Sequence, residues 1–104
     1  MKARRRRSSV PRRNIPHSIE IKRKVTYQVA WVDAFPDPRI MGLCCPDSKT
    51  IFIKRGMSKK NTWLTFVHEV EHAKEFEYGY HLGERIVKLL EKSTLALWKL
   101  NGWI

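Results

Sequence analysis

Cysteine is almost missing from the chain: two of 104 residues, and those two, Cys44 and Cys45, are neighbours. Adjacent cysteines cannot bridge each other without distorting the peptide between them, and there is no Cys-x-x-Cys pair. A disulfide framework is therefore excluded, and free thiols in a reducing compartment, rather than a thiolate zinc site, are expected. Long apolar runs are missing too. No stretch approaches the roughly 20 apolar residues of a membrane span. The basic N-terminus is not followed by the apolar run of about 7–15 residues and small-residue cleavage site of a secretory signal. The expectation is a cytoplasmic protein with no membrane partner. Acids are also scarce, ten Asp and Glu against 21 Lys and Arg, for a net charge of +11.

That excess is uneven. Seven basic residues and no acid fall within residues 1–13, while the remaining 91 residues carry fourteen basic and ten acidic side chains, a net +4. The sequence thus divides into a basic tail, residues 1–14, expected to be disordered, and one small domain, residues 15–104. A core of this size is marginal, and a bound metal would contribute to folding. Arg4, Arg5, Arg6, Arg7, Arg12 and Arg13 of the tail form an electrostatic footprint suited to nucleic-acid phosphates; the plainer reading is a solvated arm.

Within the domain, Val25, Tyr27, Val29 and Trp31 alternate onto one face, predicting a strand over 24–32. Residues 15–21 read as an extended lead-in, because Pro16 holds its predecessor out of helical geometry. His17, alone in that lead-in, is not assigned to a metal. Pro36-Asp37-Pro38 stops the strand. Residues 40–45 and 50–53 read as two further short strands joined by the turn chemistry of Pro46-Asp47-Ser48-Lys49. A helix follows, capped by Ser58 with Asn61 as alternative, and it extends to about Glu77. Gly79 and Gly83 break it. A second helix runs from Glu84 to Leu100 with Ile86, Val87, Leu90, Thr94, Leu97 and Trp98 on one side, ending at Asn101-Gly102. The fold class is α+β: a three-stranded antiparallel sheet against two helices.

The first of these helices carries His68-Glu69-Val70-Glu71-His72. Residues four apart stack on consecutive turns, so His68 and His72 can direct imidazole nitrogens at one ion. Glu69 leans to the same side but off the metal line, where a carboxylate can take a proton from water on a zinc ion. In a chain with four His and seven Glu, the pattern arises by chance in about one case in a hundred. Trp63, Phe66, Val67 and Val70 add an apolar stripe at spacings of three and four, leaving the histidines on an adjoining face. A catalytic zinc ordinarily has three protein ligands and one water. Glu84, His81 and Glu91 are the candidates for the third. Glu84 is favoured, because it opens the last helix just after a glycine-containing bend. Glu71, Glu75 and Glu77 read as a solvated face.

The segments LCCPDSKTIFI, NTWLTFVHEVEHA and GERIVKLLEKSTLALWKLNGW together resemble small zincin-type metallopeptidases commonly encoded by phages and prophages. These are related in minimal architecture to the SprT-like and ImmA/IrrE groups. The resemblance covers about residues 19–103, and His-Glu-x-x-His is its specific part. It implies zinc on His68, His72 and Glu84, with Glu69 polarising water for attack on a peptide carbonyl in a protein of the host cytoplasm. It further implies a strand edge, such as that of Thr50 to Ile53, aligning an extended substrate. An oxyanion donor would come from Tyr78, Tyr80 or His81. The metzincin Gly-x-x-His continuation is absent. The rival readings are a nucleic-acid-binding module with structural zinc and a partner-binding protein with a vestigial site. If the tail binds DNA or RNA, the substrate would be a protein held on nucleic acid.

Overall fold

The computed structural model describes residues 14–102. The tail, apart from Asn14, lies outside the described residues, as do Trp103 and Ile104. Four strands, β1 Ser18–Lys22, β2 Val25–Val32, β3 Gly42–Cys45 and β4 Thr50–Lys54, are followed by α1 Lys59–Tyr78 and α2 Glu84–Leu100. The class is α+β, but the sheet is four-stranded and mixed rather than three-stranded and antiparallel, with order β1-β2-β4-β3.

Two local facts account for the difference. The lead-in after Pro16 pairs antiparallel with β2, Ser18 opposite Gln28 and Ile19 opposite Tyr27, which makes it an edge strand. The loop after β2 then places β3 one strand-width away, and the hairpin return fills the gap. β4 therefore runs parallel to β2, Val29 beside Ile51 and Trp31 beside Ile53, and antiparallel to β3. Its continuous apolar run suits a strand with neighbours on both sides. The free edge next to the helices belongs to β3, not to Thr50–Ile53.

Tyr27, Ile51 and Ile53 are fully buried against Trp63, Phe66 and Ala73 of α1. Across α1 lies α2, with Trp98 edge-on to Trp63 at 6.0 Å between ring centroids. α1 is thus the middle layer, covered by the sheet on one side and by α2 on the other. For that reason Glu71 and Glu75, expected in solvent, are buried, and so is most of the Glu77 side chain. Lys74 pairs with Glu71, and Glu77 accepts from Tyr27 Oη at 2.7 Å and from Lys49. Burying a carboxylate is costly unless it is bonded in this way.

Ser58 Oγ caps α1 by accepting from the Asn61 amide at 3.1 Å. The helix ends at Gly79, whose φ of 74° is the left-handed conformation that glycine adopts freely. Gly83, at φ 86°, makes the second bend and sends α2 back antiparallel along α1. The face α2 presents inward is Val87, Leu90, Glu91, Thr94, Leu95 and Trp98; Ile86 and Leu97, expected on it, are exposed. No helix among the described residues is long and apolar enough to cross a membrane.

Candidate metal centre

The antiparallel return of α2 brings three side chains together. His68 and His72 project from consecutive turns of α1, and Glu84 comes from the first turn of α2. Their ligating atoms lie within 4.8 Å of one another. His68 Nε2 is 3.1 Å from His72 Nε2, and Glu84 Oε1 is 3.1 Å from the first and 2.9 Å from the second. Donors about 2.0–2.1 Å from a tetrahedral zinc would stand about 3.3 Å apart, so the observed spacing is a few tenths of an ångström tighter.

The far side of each ring settles which lone pairs face inward. His72 Nδ1–H donates to Glu75 Oε1 at 2.7 Å, and His68 Nδ1 lies 3.2 Å from Glu91 Oε2. With protons on both Nδ1 atoms, both Nε2 atoms offer lone pairs to the same point, where Glu84 offers a third. Three acceptors in mutual contact repel unless a cation lies between them, and two imidazoles with one carboxylate form a set that zinc takes at catalytic sites with a fourth position open. The donor set fits the metal. A carboxylate behind a ligating imidazole also raises its basicity and fixes its tautomer.

Glu75 does more than orient one ring. Its second oxygen accepts the Leu82 amide, so one carboxylate ties His72 to the turn that delivers Glu84. Burial pushes the Glu75 carboxyl up, but the Leu82 amide, His72 and the Gly83 backbone outweigh it and hold it below its ordinary value. His72 shows the converse: burial lowers its proton affinity, and the carboxylates of Glu75 and Glu84 beside it raise it to a net gain. Glu84 is held low, burial being outweighed by His72 and His68. Burial pushes Glu91 and Glu69 up, with the histidines pulling each partly back.

Glu69 is 7 % exposed. It lies with His68 at the bottom of a cleft of about 440 Å³ bounded by residues 39–42 on one side and by Lys88 and Glu91 of α2 on the other. Gly42 makes this approach close: a Cβ there would stand 2.5 Å from Thr65 Cγ2 and 3.2 Å from Glu69 Cγ. A second, more open groove of about 530 Å³ lies toward the other end of β3, where Pro46, Tyr80 and His81 meet His72 and Glu75.

Of the alternatives for a third ligand, His81 is exposed, with Nδ1 3.8 Å from Glu75 Oε2, and Glu91 stands behind His68. Tyr80 and His81 border the open groove, whereas Tyr78 is exposed outside it, with Lys22 Nζ of β1 5.4 Å from its ring centroid. The roles of Glu75 and Glu91 were missed in the sequence. A carboxylate three residues after the second histidine is the signal that would have exposed Glu75, since that spacing places it on the same helical face. Searches against protein-family models, curated proteins and solved structures return no match to this chain.

Proposed function

We propose that the chain is a zinc-dependent peptidase that lays an extended polypeptide along β3 and hydrolyses a peptide bond beside His68, His72 and Glu84. The observation that carries this reading is the convergence of three acceptors, each imidazole turned by its own carboxylate, next to a buried Glu69 at the bottom of a cleft. Zinc in that position supplies a Lewis acid that lowers the pKa of water toward about 7 and draws charge from a carbonyl oxygen. The same donor types serve ferrous iron in oxygenases. Glu69, a base adjacent to the first ligand, favours hydrolysis.

Glu69 takes the proton of the attacking water and passes it to the leaving nitrogen, which is why it must lie beside the donors without being one. β3 aligns the substrate. The Lys54 amide bonds to the Met41 carbonyl at 2.9 Å, and Gly42 faces Ile53 in the register, so the pairs alternate and Gly42 and Cys44 direct their amide and carbonyl groups away from β4. A peptide strand added there runs between the two grooves, past His68 and His72. Tyr80 and His81, on the open side, are the side chains within the groove able to donate to an oxyanion.

The deciding experiment is elemental analysis of protein purified without chelator, followed by a fluorogenic peptide-library assay of wild type and Glu69→Gln. About one zinc per chain in both, with hydrolysis lost by at least a hundredfold in Glu69→Gln, supports the reading. Zinc without hydrolysis of any peptide favours a structural or vestigial site serving a binding module. No zinc after reconstitution removes the reading altogether.

A further inference from the structure

The end of the molecule remote from Glu84 carries a different chemistry. β2 and β4 run parallel and finish there, and α2 returns there along α1. Lys59, Lys60 and Lys99 surround a depression of about 280 Å³ lined by Trp63 and Leu95. A neighbouring depression of about 230 Å³ joins Lys59 and Trp63 to Trp31, Thr62, Asn14 and Ile15. Among the described residues none of the three lysines has a carboxylate partner, and Asp33, the acid after β2, is held by Arg55 at 2.9 Å. Trp31 is 37 % exposed.

The basic tail joins the fold at this place. Seven Lys and Arg precede Asn14, and Asn14 lines the depression with Lys59 and Trp31. Three lysines thus share the surface at which the basic N-terminal sequence meets the fold, while Glu75, Glu77 and Glu84 sit at the opposite end of the helices. Lys59 and Lys60 occupy a first turn of α1 that has no acid, against the preference of the helix dipole. Departures from a local rule of this kind are expected where function outweighs stability.

We propose that this end docks a single-stranded nucleic acid, with Lys59, Lys60 and Lys99 on its phosphates and an unpaired base stacked on Trp31. A membrane surface is a poorer match, because residues 1–13 contain no aromatic, Leu or Ile to insert. An acidic protein would be served by the charges without Trp31. Paired cationic tracking and aromatic stacking are what a single strand requires. The inference stands independently of peptidase activity.

The test uses the full chain and a fluorescein-labelled 20-nucleotide single strand, read by anisotropy between 50 and 200 mM salt. Binding should weaken linearly on a log–log plot. The combined change Lys59→Gln, Lys60→Gln, Lys99→Gln should weaken it at least about tenfold and reduce the slope by about 2, at roughly 0.7 per phosphate contact. Arg23→Gln, Lys24→Gln, Arg85→Gln removes the same charge at the far end and should leave the slope unchanged. Trp31→Ala should weaken binding about tenfold with no change of slope. Circular dichroism melting checks folding; if the lysine triple fails to fold, Lys59→Gln and Lys99→Gln singly should each lower the slope by about 0.7. Equal slopes in the two triples, wild-type binding by Trp31→Ala, or retention on anionic vesicles or polyglutamate without binding to the oligonucleotide would each overturn the proposal.

Discussion

The Nδ1 atom of His72 lies 2.7 Å from Oε1 of Glu75, whose other oxygen holds the Leu82 amide. The candidate metal centre is therefore pre-set by a residue that would not touch the metal. Glu75→Ala should lower zinc affinity about 10–100-fold, the usual consequence of removing the partner of a ligating histidine. Glu75→Gln should fall between Ala and wild type, because its carbonyl oxygen can accept from either Leu82 or His72 but not from both with equal geometry. Competition against a chromophoric chelator measures both. Unchanged affinity in Glu75→Ala would show that the turn and the ring are positioned by other contacts.

Gly42 is the point at which β3 meets α1. A methyl group there meets the β-branched Thr65, whose Cγ2 would be 2.5 Å away, and the Phe52 carbonyl oxygen at 3.2 Å. Gly42→Ala should cost about 1–3 kcal/mol, as overpacking of a closed contact generally does. Thr65→Ser removes the offending methyl, so the double variant Gly42→Ala, Thr65→Ser should recover much of the loss. Urea unfolding of the four proteins in a double-mutant cycle reads the coupling. Strict additivity would place the strain at Phe52 or Glu69 instead.

Those two contacts illustrate which parts of the molecule the sequence discloses. The start of α1 at Ser58 and the span of α2 from Glu84 to Leu100 depend on caps and glycines within a few residues, and both read directly. His68, Glu69 and His72 share one helix, so their relation was fixed by helical spacing alone. Strand order was not legible, because whether β4 lies beside β2 depends on where a nine-residue loop, residues 33–41, places β3. The burial of Glu75 and Glu77 was hidden for a related reason. Three glutamates in seven residues look like a solvated face unless it is known that a sheet and a second helix cover α1 from two sides. Only then do Tyr27 and Lys49, 50 and 28 positions away in sequence, become the partners of Glu77.

Glu77 makes a stability prediction with a definite sign. Bonds from Lys49 and then Tyr27 hold its carboxyl below the ordinary glutamate value, outweighing burial. A depressed folded value means that the stabilisation is complete above the unfolded value, about 4.3, and is lost as pH falls through the folded one. Wild type should therefore exceed Glu77→Gln in stability at pH 7, and the gap should close progressively below about pH 4. Urea midpoints of the two proteins from pH 7 to pH 3 test this. Equal midpoints at every pH would mean that Glu77 contributes through packing of its methylenes, which Gln retains, and not through its charge.

Cys44 separates structural from reactive thiols. Burial, followed by the nearby Glu69 and Cys45, pushes its thiol up to about 12. At pH 8 only about one molecule in ten thousand carries the thiolate that attacks an alkylating agent. In the native protein Cys44 should resist iodoacetamide for hours, whereas urea should restore the rate of an ordinary exposed cysteine. Peptide mass spectrometry after timed alkylation of a Cys45→Ser variant isolates the single thiol. Rapid native labelling would require β3 to leave α1 frequently, and since Gly42 of the same strand abuts Glu69, it would also argue against a rigid edge for aligning a substrate.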